Sequence, residues 1–236
     1  MTTNYKIPFI VHQTFYTTKF PPQIINIIQH NKQLNPNFKF VFYDDDDCKK
    51  FIKTYFNDQI YNAYMTLNSC YGAMRADFFR YCVLYKIGGV YLDIKSKINI
   101  PLKQIIKEDD SCILDLPRNN LEPWRTSNPT YEQWLLIFEP NHPYLNYMIE
   151  QMVTNIENKY QPKIPGYAIL TSKQKILQLT GPDGLTRAIN ACIKNNIIKH
   201  RNIDYNNYFT LAPINYQSMY TSKKHYSQYN EPLYKI

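Results

Sequence analysis

Glycine is scarce in this 236-residue sequence, with 6 copies, and long apolar runs are missing. No stretch approaches the roughly 18 apolar residues that a membrane helix needs, and the opening MTTNYKIPFIVHQTF lacks the apolar core of a signal peptide. These absences argue against fibrous, disordered and membrane-spanning classes. We therefore expect a globular protein without a membrane span, in the cytoplasm, or in the host-cell cytoplasm or virion if the source is viral.

Cysteines are few and odd in number: five occur, and none forms a CxxC pair. This count argues against a disulfide framework and against a zinc finger. The pattern instead predicts buried thiols in a reducing compartment.

The net charge is +8, with a sequence pI of about 9.1. This balance suits a polyanionic partner, which includes nucleic acid, a membrane surface and the diphosphate of an activated sugar. The lysines are scattered, however, and no basic arm or RRM, KH or zinc-finger pattern occurs. The leading interpretation is therefore an enzyme without a nucleic-acid partner. A nucleic-acid or polyanion binding protein is the alternative.

Strand-like and helix-like patterns alternate along the chain. Strands are predicted at residues 6–13, 38–44, 89–100, 113–116 and 133–139. Helices are predicted after Pro21–Pro22, after the acidic run 44–47, and over residues 71–87, 141–160 and 180–196. The alternation indicates an α/β class, Rossmann-like, with a mostly parallel sheet flanked by helices on both faces. Ligands of such sheets bind beyond the carboxyl ends of the strands.

Two sets of polar residues stand at predicted helix starts, where we expect them to act as caps. Asp44 to Asp47 stand at a helix start, where carboxylates cap the backbone and complement the dipole. Metal binding is the alternative for this run, but four consecutive Asp side chains cannot all point at one ion. Thr180 or Asp183 is available as the cap of the last helix.

The stretch RADFFRYCVLYKIGGVYLDIKSK, residues 75–97, concentrates charge near such a strand end. Asp77 and Arg80 are three residues apart and share one helix face, which an ordinary structural ion pair would also explain. The Gly88–Gly89 connection brings this face close to the next strand. Alternation along that strand predicts a common face for four side chains, Tyr91, Asp93, Lys95 and Lys97.

This stretch, RADFFRYCVLYKIGGVYLD, resembles the signature of the glycosyltransferase 32 family, sugar transferases with a DXD motif that include yeast initiating mannosyltransferases and capsular polysaccharide enzymes. IPFIVHQTF matches the family's opening segment except that Phe15 replaces a Trp. NPNFKFVFYD, EPNHPYL and TGPDGLT follow in the family's order, so that the matches cover roughly residues 7 to 190. The resemblance implies a GT-A-like fold over residues 1–200, which would bind a nucleotide sugar.

The resemblance also implies roles for individual residues. In such enzymes the helix Asp and Arg contact the donor sugar, which corresponds to Asp77 and Arg80, and the first Asp of DXD contacts the donor ribose, sugar or metal, which corresponds to Asp93. Residues near the first strand hold the nucleotide, which suggests His12, Gln13 and Thr14. Further expected donor-binding residues are Arg75, Tyr91 and Lys97.

One departure from the family concerns the metal. The motif reads Asp93-Ile94-Lys95 here, so a lysine replaces the carboxylate that normally binds Mn²⁺ or Mg²⁺. Lys95 and Lys97 would then neutralise the departing diphosphate directly. The alternative is that Asp93 still holds a metal with Asp183 or His225.

The C-terminal part, residues 201–236, is expected to be an extension that closes over the site, as the resemblance implies, with His225 as a candidate metal ligand. Trp124 and Trp134 are candidates for stacking on an acceptor sugar, although core packing is the alternative for Trp134.

The resemblance thus predicts a hexosyltransferase. It would transfer a sugar from a nucleotide-diphosphate donor, UDP-sugar favoured, to a glycan, a protein or another hydroxyl acceptor, with retention of configuration. A catalytically inactive relative that binds the donor is the second alternative, because the second Asp is missing. The sequence does not fix the oligomeric state.

Overall fold

A six-stranded sheet in the order β2-β1-β3-β6-β5-β7 forms the centre of the computed structural model, which describes residues 4–119, 122, 125–164, 166–195, 200–214 and 225–235. Its strands are β1 (Ile10–Thr14), β2 (Lys39–Tyr43), β3 (Gly89–Leu92), β5 (Cys112–Asp115), β6 (Leu135–Phe138) and β7 (Arg201–Ile203). Of these six, β6 alone runs antiparallel to its neighbours. The prediction of a mostly parallel sheet is confirmed.

Helices cover the sheet. They are α1 (Pro22–Leu34), α2 (Asp45–Tyr55), α3 (Asp58–Thr66), α4 (Gly72–Ile87), α5 (Leu102–Ile105), α6 (Pro143–Glu157), α7 (Ser172–Leu179) and α8 (Pro182–Lys194). The sequence patterns had indicated α1, α2, α4, α6 and α8, whereas α3, α5 and α7 were not predicted. β7 belongs to the central sheet although it lies within the expected C-terminal extension.

Two apolar cores lie on the two faces of the sheet. In β3 and β6 alternate residues enter different clusters: Tyr91 and Leu136 pack with α4, α6 and α8, while Val90 and Leu135 pack with α5 and the chain near Phe209. Both faces are therefore buried, which explains why these strands read as continuous apolar runs.

The acidic run caps α2, as predicted. The Asp44 Oδ1 accepts hydrogen bonds from the backbone N–H of Asp46 at 3.0 Å and of Asp47 at 2.9 Å. The Asp47 side chain in turn accepts from the Asp44 N–H, which completes a capping box.

The predicted single strand over residues 89–100 is wrong. After β3 the chain turns, with the Ser96 N–H donating to the Asp93 carbonyl at 2.9 Å, and β4 (Ser96–Ile98) pairs with β8 (Phe209–Leu211) in a separate sheet. The buried Asn31 of α1 holds β4 there, because its amide bonds the Ser96 carbonyl at 2.9 Å and the Ile98 N–H at 2.8 Å. Lys97 is thereby separated from Tyr91, Asp93 and Lys95, with which it was expected to share a face.

The Gly88–Gly89 junction sets the close approach of α4 to β3. Gly88 ends α4 with φ 72° and Gly89 starts β3 with φ 101°. A Cβ at position 89 would lie 2.5 Å from the Ile10 carbonyl oxygen of the neighbouring strand. Both the backbone conformation and the space therefore require glycine.

We predict that Gly89→Ala lowers the free energy of unfolding by at least about 2 kcal/mol, because the side chain adds strain at positive φ to a clash with backbone. Gly72→Ala is the matched control, since an added Cβ meets nothing within 4 Å there, and it should change stability by less than about 1 kcal/mol. Urea unfolding monitored by circular dichroism measures both, and equal effects would contradict the assignment.

Candidate active site

A cavity of about 440 Å³ opens where the parallel strands β1, β2 and β3 end. Residues from the ends of these strands, from one side of α4 and from the C-terminal segment line it. The lining includes Thr14, Phe15, Tyr16, Asp45, Arg75, Arg80, Tyr91, Asp93, Lys95, His225, Tyr226 and Tyr229. This is the edge at which the α/β architecture predicts a ligand.

Arg80 is the centre of the polar network in this cavity. Its Nη2 lies 3.2 Å from Asp77 Oδ1 and 3.3 Å from Asp93 Oδ1. Its Nη1 donates to the Gln133 carbonyl at 2.6 Å, and the guanidinium stands 4.5 Å from the centre of the Tyr91 ring. The structure thus brings Asp77, Arg80 and Asp93 together, with Arg80 in the middle.

Asp77 lies behind Arg80 and does not line the cavity. Its carboxylate is buried, and it accepts hydrogen bonds from Gln133 Nε2 at 3.0 Å and Thr180 Oγ1 at 2.9 Å. Burial raises the pKa of Asp77 to about 7, against the opposing effects of Arg80 and Thr180. Asp77 therefore holds Arg80, and the geometry gives it no direct access to a ligand in the cavity.

Two residues of this network were missed in the sequence. Gln133 contacts Asp77, Arg80 and, through Oε1, the Tyr81 hydroxyl at 2.6 Å. Thr180 was expected as a helix cap, but Gly181 occupies the cap of α8 and no side chain caps it. The sequence feature that could have indicated them is that Gln133 and Thr180 are polar residues next to apolar segments.

Asp93 and Lys95 lie on the turn after β3 and face the same cavity. The Asp93 side chain keeps 29% of its surface exposed. Burial raises the pKa of Asp93, while the charges of Arg80 and Lys95 oppose the shift. Burial lowers the pKa of Lys95 and Asp93 opposes this. Lys97, by contrast, is exposed in β4 and is not part of the cavity lining.

Two residues of β1, His12 and Gln13, lie in the core behind the cavity and do not line it. His12 is fully buried, with its ring nitrogens 3.1 Å from the Tyr43 hydroxyl and 3.0 Å from the Gly88 carbonyl. Burial lowers the pKa of His12 to about 4. Gln13 is also buried and its amide bonds the Leu92 carbonyl, so neither residue lines the cavity.

Thr14 does line the cavity, and its hydroxyl lies 2.7 Å from that of Tyr91. Phe15 and Tyr16, which the sequence argument did not select, follow it along the lining with ring centres 4.6 Å apart. Their position directly after a buried strand was the signal. Arg75 lines the same cavity and places its guanidinium 4.7 Å from the centre of the Tyr64 ring.

The C-terminal segment 225–235 forms one wall. His225, Tyr226 and Tyr229 line the cavity. Hydrogen bonds fix the segment to the rest of the chain: the Asn68 N–H donates to the Leu233 carbonyl at 2.9 Å, and the Ser172 hydroxyl donates to the Tyr229 carbonyl at 2.9 Å.

The groups that could ligate a divalent metal are a poor match for one. Asp183, one proposed partner of Asp93, is buried beside Arg125 at 2.9 Å and lies outside the cavity lining. Asp93 itself is already 3.3 Å from Arg80. In the described part of the chain no three His, Cys, Asp or Glu side chains are grouped to hold an ion. The metal site of Asp93 and His225 stays a prediction.

Trp134 packs edge-on against Tyr205 and Phe209 and is absent from the cavity lining, so it contributes to the core. Trp124 lies outside the described residues. Within the described residues, none of the helices has the length and apolar character needed to cross a bilayer.

Comparisons with known proteins found a matching family model and several similar proteins. Residues 21–112 match a family described as a glycosyltransferase sugar-binding region containing a DXD motif. Inositol phosphoceramide mannosyltransferase 3 of Schizosaccharomyces pombe is 28% identical over 151 residues, which are 62% of this chain and 37% of that protein. Residues 21–112 are thus similar to the sugar-binding region of DXD glycosyltransferases, and the chain spans well under half the length of this curated relative.

Solved structures show the same fold. The PaToxG glycosyltransferase aligns with a TM-score of 0.58 at 15% identity, covering 82% of this chain and 76% of that one. The UDP-bound glycosyltransferase domain of the YGT toxin aligns with a TM-score of 0.53 at 9% identity, covering 84% and 80%. The GT-A-like fold that the family resemblance implied is confirmed.

We predict that Thr180→Val destabilises the protein more at about pH 8 than at about pH 5. The pKa of Asp77 is higher in the folded chain than its ordinary value of about 3.9, so stability falls as pH rises from about 4 through about 7. Above that range the ionised Asp77 needs the Thr180 hydroxyl, and its loss should cost about 1–3 kcal/mol.

Urea unfolding at the two pH values measures this difference. Thr180→Ser keeps the hydroxyl and should keep the wild-type pH dependence. In an Asp77→Asn background the pH-dependent part of the Thr180→Val effect should vanish. A loss that is the same at both pH values would show that the hydroxyl does not act through Asp77.

Proposed function

We propose that this chain transfers a sugar from a nucleotide-diphosphate sugar to a hydroxyl group of a glycan or protein acceptor. The observation that carries the proposal is Arg80, which connects the buried Asp77 to Asp93 at the edge of a cavity beyond the strand ends. The match of residues 21–112 to the glycosyltransferase sugar-binding region supports it. A UDP-sugar is the favoured donor, which the UDP-bound domain of the same fold makes chemically reasonable.

In this proposal Asp93 accepts hydrogen bonds from donor hydroxyl groups and Arg80 supplies positive charge beside it. The Arg80 Nε is buried and lacks an acceptor among the described residues. A buried N–H without a partner is costly, so the other contacts of the guanidinium have to offset this cost. The buried partners of Arg80 keep its guanidinium in place before the donor binds, so the site needs little reorganisation.

Lys95 takes the position at which the DXD motif has its second carboxylate. We propose that it neutralises the diphosphate leaving group in place of a metal ion. A positive charge 4 Å from a phosphate oxygen contributes up to about 4 kcal/mol at an effective dielectric constant of about 20. Burial lowers the pKa of Lys95, and the carboxylate of Asp93 counteracts this and favours the charged form. Retention of configuration follows from the family resemblance, and no side chain is assigned as nucleophile.

We predict that Lys95→Ala lowers kcat for donor turnover about 10²-fold, the size expected for losing one electrostatic contact to the developing charge. Lys97→Ala is the matched control, because Lys97 lies two residues away but is exposed outside the cavity lining, and it should stay within about twofold of wild type. The assay measures hydrolysis and transfer through the amount of nucleoside diphosphate that is released from UDP- and GDP-sugars.

A chelator distinguishes the two sources of positive charge. If Lys95 serves this role, turnover persists in EDTA and added Mn²⁺ does not restore the Lys95→Ala variant. Complete loss of wild-type turnover in EDTA would instead support a metal held by Asp93 and His225 and would contradict the role of Lys95.

The same measurements separate the alternatives. Product from any donor excludes the inactive relative, whereas a nucleotide sugar that raises the melting temperature without turnover supports it. Binding of DNA in a filter assay, with no binding of UDP by calorimetry, would support the polyanion-binding alternative, which +8 net charge permits.

A further inference from the structure

The loop between α6 and α7 exposes an unusual share of apolar surface. Eight large hydrophobic side chains of the described residues are exposed, and three of them fall within residues 160–169: Tyr160 at 49%, Tyr167 at 37% and Ile169 at 87%. Single exposed apolar residues are normal, but this local concentration is not expected from scattered ones. We name residues 158–164 and 166–170 the docking loop.

The docking loop is also basic. The sequence from Asn158 to Lys175 contains four lysines and no Asp or Glu. Lys159 and Lys163 within the loop are exposed, as is Lys173 at the start of α7. No acidic residue of this stretch therefore offsets the lysines, and the apolar side chains lie in a positively charged segment.

The docking loop leads directly to the wall of the candidate active site. Thr171 caps α7 in a capping box with Gln174, which fixes the end of the loop. The next residue, Ser172, donates its hydroxyl to the Tyr229 carbonyl, and Tyr229 lines the cavity. The Lys173 charge contributes to lowering the pKa of His225, which also lines the cavity. If the docking loop were bound to another surface, the cavity would therefore lie close to that surface.

We propose that the docking loop binds the surface of an anionic lipid bilayer. A tyrosine places its ring in the apolar boundary and its hydroxyl in the headgroup layer, and a lysine buries its stem while its ammonium stays at the phosphates. Ile169 would enter the boundary between them. Each lysine near an anionic surface strengthens binding, and the attraction falls within a Debye length.

A protein partner suits these features less well. A stable protein interface buries about 800 Å² on each side, which three exposed apolar side chains in one loop do not supply. Bilayer binding needs only a few inserted groups together with electrostatic attraction. The proposal goes beyond sugar transfer, and its test requires no enzymatic activity.

Sedimentation of the whole chain with vesicles tests the proposal. The protein should bind vesicles of phosphatidylcholine mixed with phosphatidylserine, and bind vesicles of phosphatidylcholine alone at least about tenfold more weakly. Ile169→Asp should weaken binding to the anionic vesicles about tenfold or more. Ile25→Asp is the matched control with the same change of charge at another exposed isoleucine, on α1, and it should bind like wild type.

A second pair of variants separates the loop from the net charge. The Lys159→Glu/Lys163→Glu protein should lose binding to the anionic vesicles, while Lys32→Glu/Lys39→Glu, with the same change at exposed lysines elsewhere, should retain it. Equal losses in both pairs would reduce the effect to the net charge of +8 and overturn the proposal. Absence of binding by the wild-type chain, or binding indifferent to Ile169→Asp, would overturn it as well. Unchanged melting temperatures confirm that the variants fold.

Discussion

The burial of the Arg80 guanidinium is the constraint on which the rest of the site depends. A charge with 5% of its residue surface exposed is tolerated only where ionic partners and hydrogen bonds replace water. Asp77 and Asp93 supply the negative charges, the Gln133 carbonyl an acceptor, and the Tyr91 ring a polarisable face. These groups come from α4, from the end of β3 and from the segment before β6, so the position of one side chain ties three parts of the fold together.

That constraint also gives the two carboxylates different tasks. Asp77 is enclosed by donors from Gln133 and Thr180 and acts on Arg80 from behind. Asp93 lies on a turn at the cavity and keeps part of its surface accessible. Asp77 therefore fixes the Arg80 guanidinium from the buried side, whereas Asp93 lies beside it at the cavity. Lys95, two residues after Asp93, places a further positive charge at the same edge, which is consistent with the diphosphate leaving group that we propose.

Sequence reasoning succeeded where local patterns decide the structure. The i,i+3 spacing put Asp77 and Arg80 on one face of α4, and the acidic run at residues 44–47 forms the predicted cap. It failed where distant residues decide. The position of β4 depends on Asn31 of α1, which bonds the Ser96 carbonyl and the Ile98 N–H, and the support of Asp77 comes from Thr180, 103 positions away. The family resemblance suggested His12 as a donor-binding residue, but its ring bonds Tyr43 and Gly88 inside the core.

The central claim, that Arg80 couples Asp77 to Asp93, is tested most directly by a double-mutant cycle on the free energy of unfolding. Asp77→Asn and Asp93→Asn each leave Arg80 one carboxylate partner, whereas the double variant leaves a buried charge with none. The account predicts that the double variant is less stable than the sum of the single effects by about 1 kcal/mol or more. Effects that add to within about 0.5 kcal/mol, or a double variant more stable than the sum, would contradict it.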